Sequence, residues 1–178
     1  MTMGKFNIIY ADPPWLYRNG GNGRAAQHYP LMPIKNICAL PVHALAAQDC
    51  ALFLWATFAL LPEALQTISA WGFSYKSTAF VWIKPNKIAP GWFVGTGFWT
   101  RANAEVCLLA LKGHPQRKAK DVQQLIIAPR REHSRKPDET RDRIVRLMGD
   151  LPRVELFARQ TAPGWDVWGN EVDSTIKL

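Results

Sequence analysis

Hydrophobic and polar positions along this chain come in blocks. Continuous apolar runs at residues 6–11, 51–55, 78–83, 105–111, 125–127 and 154–157 read as strands covered on both faces. Between them lie stretches with helix start and stop signals. A helix is predicted from residue 34 to 47. A second begins at Pro62-Glu63 and has Gly72 just past its end. A third follows Pro137, with Asp138 and Glu139 in its first turn, where acids suit the helix dipole, and ends at Gly149. Strands alternating with helices predict a doubly wound α/β sheet. The 178 residues show no internal repeat and no linker, so one domain, 1–178, is expected.

The most informative residues end the first strand: Asp12-Pro13-Pro14-Trp15. Two prolines cannot continue a sheet ladder, so the strand stops there. A carboxylate, a stiff backbone and a large ring are thus offered at a strand's carboxyl end, where open α/β sheets bind ligands. The exocyclic amino group of a nucleobase has two N–H donors on a flat ring. Asp12 can accept one and the Pro13 carbonyl the other, while Trp15 stacks on the ring. Two fixed acceptors pull such a nitrogen toward tetrahedral geometry and make it a better nucleophile. Taken alone, the tetrapeptide reads equally well as a turn followed by a core tryptophan.

The rest of the chain tips the balance. His28-Tyr29-Pro30-Leu31-Met32 is followed by Leu52-Phe53-Leu54-Trp55-Ala56-Thr57 and Val81-Trp82-Ile83-Lys84-Pro85-Asn86. Next come Glu105-Val106-Cys107-Leu108, Lys112-Gly113 and Ser134-Arg135-Lys136-Pro137-Asp138-Glu139. Glu155-Leu156-Phe157-Ala158-Arg159 and Gly169-Asn170 complete the series. In this order, over almost the full length, the sequence resembles the MT-A70 adenine N6-methyltransferases. The resemblance implies a Rossmann-like S-adenosylmethionine-dependent methyltransferase fold in permuted order. The catalytic motif is then N-terminal and the cofactor strand C-terminal.

It also implies site residues. Asp12, Pro13, Pro14 and Trp15 are expected to hold the target adenine, with Asp12 also facing the sulfonium of S-adenosylmethionine. Lys136 is expected to meet the cofactor's carboxylate, and Arg159 and Asn170 its ribose. Glu171 stands where relatives carry a glutamine near the cofactor. Tyr29 is expected at the pocket rim, Lys84 and Asn86 in a substrate loop, and Glu105 as a brace of the pocket. Eleven residues precede Asp12. None of them matches the acidic residue that eukaryotic relatives carry well upstream of their signature.

Composition narrows the rest. No apolar run is long enough to span a membrane, and the N-terminus lacks a signal peptide's apolar stretch. Cys38, Cys50 and Cys107 are far apart and read as reduced core thiols, which suits the cytoplasm of a bacterium or of a phage-infected cell. The four histidines show no ligand spacing, so no metal is expected. The zinc deaminase signature and the Gly-x-Gly-x-x-Gly of dinucleotide enzymes are both absent. The net charge is +8, and 11 of the 22 basic residues fall between Lys112 and Arg146. The clusters Lys112/Arg117/Lys118/Lys120 and Arg130/Arg131/Arg135/Lys136 favour a polyanionic partner.

Two loops stand out: 17–27, rich in glycine, as a lid, and 85–103, where Trp92, Phe93, Phe98 and Trp99 stack on bases or form a local cluster. The expected reaction is direct methyl transfer to adenine N6 in DNA, with RNA as the alternative substrate. A non-catalytic partner subunit is disfavoured because Asp12 and Trp15 are both intact. A cytosine amino-methyltransferase is disfavoured because those carry serine first. No target-recognition domain is evident, so a homodimer or a heteromeric partner is expected.

Overall fold

In the computed structural model, residues 6–16, 30–95, 97, 99–131 and 135–178 are described. Seven strands form one sheet: β1 Phe6–Ala11, β2 Ala46–Ala56, β3 Ser74–Ile83, β4 Ala104–Lys112, β5 Leu125–Ile127, β6 Arg153–Leu156 and β7 Asp166–Trp168. Their spatial order is β5-β3-β4-β2-β1-β6-β7. Every neighbouring pair is parallel except the two made by β4, which runs antiparallel to both β2 and β3. The helices are α1 Ile34–Ala39, α2 Val42–Leu45, α3 Leu61–Ala70 and α4 Glu139–Met148.

β1 and the second half of β2 are near-continuous apolar runs because both faces are covered there. Side chains alternate across the sheet. Ile9, Leu52 and Leu54 face a core shared with Ile37 of α1 and Ala64 and Ile68 of α3. Ile8, Tyr10, Phe53 and Trp55 face the opposite core, with Ile144 and Met148 of α4. Buried indoles find partners for their N–H groups, as an apolar interior requires. Trp71 donates to the Ile37 carbonyl at 2.9 Å, Trp82 to the Ala128 carbonyl at 2.7 Å, and Trp55 to the Tyr10 hydroxyl at 2.7 Å. The architecture is a Rossmann-like α/β fold whose first strand lies near the centre of the sheet.

The expected strands are all present, and β1 and β5 have the expected bounds. The helix expected over 34–47 is two short helices. Pro41 lacks an N–H, and Leu40 before it is forced to extended backbone (ψ 134°). Ala46 and Ala47 then open β2, whose exposed Gln48 and Asp49 fall where its register with β1 shifts. Three-residue β7 gave no periodic signal and is held by parallel pairing to β6. Helices α3 and α4 stop where expected, beside Gly72 and Gly149, both at positive φ (79° and 94°).

The β6 and β7 exits approach very closely. Ala158 N–H donates to the Trp168 carbonyl at 2.9 Å. A Cβ on Gly169 would lie 2.1 Å from the Ala158 carbonyl oxygen. Gly169→Ala is therefore expected to destabilise the fold by about 1–3 kcal/mol. Urea unfolding checks this: the midpoint falls, and an unchanged midpoint contradicts the packing.

Candidate active site

A cavity of about 730 Å³ opens at the carboxyl edge of the sheet. It collects the exits of four parallel strands: Asp12–Trp15 after β1, Ala56 and Thr57 at β2, Phe157–Arg159 after β6, and Trp168–Glu171 at β7. Glu105 and Lys136 close its floor, and Arg130 and Arg131 stand on its wall. Glu105 reaches this edge because β4 is antiparallel: its second residue lies beside the strand ends of its neighbours, opposite Trp82.

Four charged side chains run through the floor with alternating sign. Asp12 Oδ2 accepts from Lys136 Nζ at 2.8 Å. Lys136 Nζ lies 3.2 Å from Glu105 Oε2, and Glu105 Oε1 accepts from Lys84 Nζ at 2.5 Å. Asp12 keeps 27% of its side chain exposed, against 9% for Lys136 and 11% for Glu105. The aromatic floor adds to this, with Lys84 4.5 Å from the Trp82 ring centroid and Lys136 5.7 Å from that of Trp55.

These contacts set the protonation states. Burial pushes the Asp12 carboxyl above the usual aspartate range, and the Lys136 ammonium opposes that rise. For Glu105, burial acts upward too, but two ammonium groups outweigh it and hold the carboxyl below its ordinary value. Burial disfavours the Lys136 charge, yet its two carboxylates raise its pKa and keep it protonated.

Trp15 is 8% exposed, and its Nε1–H donates to the Trp55 carbonyl at 3.1 Å. It is both a cavity wall and a core residue, so the two readings of the tetrapeptide merge. The Pro13 carbonyl accepts the Trp15 backbone N–H at 2.9 Å, in a tight turn around Pro14. It was expected to be uncommitted; one lone pair is already in use and the second remains. The Pro14 carbonyl accepts from Met32 N–H at 2.7 Å, which ties residues 30–33 to the motif.

Arg159 and Glu171 face each other across the far end of the cavity (Nε to Oε1, 3.5 Å), with Asn170 beside them. Lys136 lines the cavity as expected but sits between two protein carboxylates, so it is first their counter-ion. Lys84 and Asn86 do not line the main cavity. Lys84 is held below by Glu105, and Asn86 donates to the Pro90 carbonyl at 3.4 Å inside its own turn. Tyr29, His28, the lid at 17–27, Phe98 and Ser134 lie outside the described residues.

Some cavity residues carry weak sequence signals. Phe157 has φ +60°, an uncommon conformation for a large side chain, and packs edge-on against Trp168 with centroids 5.3 Å apart. Arg131 and Arg135 both pair with Asp138, at 2.7 Å for Arg135. Asp138 also accepts from Arg141 at 3.0 Å, and Arg141 grips Glu155 with two bonds, 2.6 and 2.9 Å. Burial acts to raise the Asp138 carboxyl, but the arginines hold it below its usual range. Arg130 and Arg131 were legible only as part of a basic cluster.

The MT-A70 family model matches residues 6–171. The type II methyltransferase M.MunI of a Mycoplasma species is 34% identical over 196 residues, covering 98% of this chain and 81% of that protein. The human N(6)-adenosine-methyltransferase catalytic subunit METTL3 is 30% identical over 175 residues, 96% of this chain but 29% of that protein. An N(6)-adenosine-methyltransferase MT-A70-like protein of Arabidopsis thaliana is 30% identical over 174 residues, 96% of this chain and 24% of its own length. The chain thus spans about four-fifths of the mycoplasmal relative and under a third of the adenosine methyltransferases. On the family match over nearly its whole length, this chain belongs to the MT-A70 family of methyltransferases.

Proposed function

We propose that this protein transfers the methyl group of S-adenosylmethionine to the N6 amino group of adenine in DNA. The observation that carries the reading is the Asp12 carboxylate. It stands beside the Pro13 carbonyl and the Trp15 wall, with one oxygen held by Lys136. Among the described residues, Asp12 Oδ1 has no hydrogen-bond partner, so it is the oxygen that can accept an N–H. A flat base entering along Trp15 presents its amino group to Oδ1 and to the second lone pair of Pro13. No general base is required before transfer, because the amino group loses its proton readily once methylated. Fixed acceptors and correct approach provide the catalysis.

MT-A70 methyltransferases depend on S-adenosylmethionine, and the residues present fit it. The cavity volume lies within the range of roughly 300–1,000 Å³ usual for small-molecule sites. A carboxylate stands at one end for a sulfonium cation, and Arg159, Asn170 and Glu171 offer donors and acceptors at the other for ribose hydroxyls. When bound, the cofactor supplies an electrophilic methyl group. Asp12 then serves both the cofactor's charge and the substrate's amino group.

DNA is favoured over RNA by the match to a type II methyltransferase over four-fifths of that protein. The adenosine methyltransferases match over 96% of this chain but exceed it more than threefold in length. Among the described residues, several of the basic side chains at 112–146 have structural work. Lys112 donates to the carbonyls of His43 and Ala46, and Arg143 to those of Gln123 and Leu125. Arg130 and Arg131 stand at the cavity wall, where Arg131 is already paired with Asp138.

Labelled S-adenosylmethionine with matched DNA and RNA oligonucleotides, single- and double-stranded, tests the proposal. N6-methyldeoxyadenosine is expected, and Asp12→Ala is expected to lower kcat by about 10²–10³. Product in RNA alone transfers the reading to RNA; product on neither sinks it. A second expectation concerns pH. Asp12 must be ionised to accept, so kcat/KM falls as pH drops through its raised pKa. Lys136→Met removes the opposing ammonium, so this acid limb moves to higher pH, and Lys136→Arg restores it. An acid limb unchanged in Lys136→Met contradicts the counter-ion role.

A further inference from the structure

Beside the main cavity lies a second, of about 410 Å³, formed by the turn that follows β3. Its backbone is closed on itself. Asn86 N–H donates to the Gly91 carbonyl at 3.0 Å, Phe93 N–H to the Lys84 carbonyl at 2.8 Å, and Pro85 pairs with Trp92 in an antiparallel bridge. The side chains on this turn are therefore held at the surface by a built scaffold. Ile88 and Trp99 are fully exposed, and Trp92 is 51% exposed. The Arg130 guanidinium lies over the Phe93 ring, with Cζ 3.4 Å from the centroid. Arg130 lines both cavities and is the wall they share.

Showing these apolar groups to water brings the chain no stability. Exposed aromatic surface beside cations is, however, what a single nucleic-acid strand requires. Bases stack on rings and on guanidinium planes, and phosphates take the positive charge. The second cavity carries Lys87 and Arg130 and no acidic side chain among its lining residues.

We infer that this second cavity holds the nucleotide next to the target adenine on the same strand. Its base stacks on the Arg130 guanidinium, which Phe93 holds in place, and its phosphate lies against Lys87. The inference rests on reading the main cavity as the adenine pocket and adds what holds the strand in register. An adenine drawn into the main cavity loses its stacking on that neighbour. Arg130, standing between the two cavities, replaces the lost partner and blocks the base from falling back.

The test uses single-stranded DNA oligonucleotides with one adenine and an abasic site placed in turn on its 5′ and 3′ sides. Methyl transfer and binding by fluorescence anisotropy are both measured. On one side, the abasic site is expected to lower the wild-type kcat/KM and affinity about tenfold; on the other it has little effect. Phe93→Leu is expected to bring the intact substrate down to the abasic level and to erase the difference between them. Phe93→Trp restores it. Equal values across the abasic series in the wild-type protein overturn the inference, as does absence of binding. An equal loss on intact and abasic substrates in Phe93→Leu overturns it too, because a merely structural ring behaves that way. Neighbour-dependent binding without methyl product on any adenine sinks the proposed function instead and leaves the second cavity assigned. A light-scattering mass of two chains that falls to one in Trp99→Ser, with no neighbour dependence, gives this surface to a second copy and overturns the inference.

Discussion

A lysine buried at the bottom of a cavity must be neutralised, and the residues that neutralise Lys136 organise this molecule. Its partners, Asp12 and Glu105, lie 124 and 31 positions earlier in the chain. These two ion pairs fix the exit of β1, the start of β4 and the entry to α4 against each other. Removing any one of the three leaves an uncompensated charge in a poorly solvated place, a heavy penalty compared with an exposed pair. Lys84 completes the alternation, so the four groups carry no net charge. The floor of the cavity is therefore set by the protein before any ligand arrives.

That rigidity continues into the core. Trp15 hangs from the Trp55 carbonyl, the Trp55 indole donates to Tyr10, and the Trp55 ring lies near the Lys136 ammonium. The wall that a base would lie against and the carboxylate that would hold its amino group thus share one scaffold. An acceptor that does not have to move as charge develops is the most effective kind. On the opposite lip, Asp138 gathers Arg131, Arg135 and Arg141, and Arg141 is anchored to the buried Glu155 of β6. Both sides of the opening are thus tied to strands of the central sheet.

What could be read from the sequence follows the physics. Strands buried on both faces announce themselves as apolar runs, so β1 was legible to the residue; β5 was legible as the apolar run Leu125–Ile127, although on this edge strand only Ile126 is buried. The polar first halves of β2 and β3 were not, because their pairing depends on neighbours distant in sequence. Pro41 was visible, but the apolar pattern across 34–47 masked the break it causes. Asp12 to Trp15 stood out because two prolines after an apolar run have few uses. The pairing of Lys136 with Asp12 and Glu105 left no local trace, since it arises only when three segments meet. The left-handed backbone of Phe157 and the withdrawal of Asn86 into its own turn are likewise tertiary outcomes.

The single antiparallel strand explains why the site has a second acid at all. In an all-parallel sheet only the last residues of each strand reach the carboxyl edge. Reversing β4 sends its first residues there, and Glu105 arrives opposite Trp82, next to the exit of β2 at Ala56. Glu105 can then take up the Lys136 charge that Asp12 alone would only partly balance. With Lys136 shared between two carboxylates, Asp12 is relieved of a full ion pair and keeps one oxygen for a substrate. One strand direction thus decides the chemistry of a carboxylate on another strand.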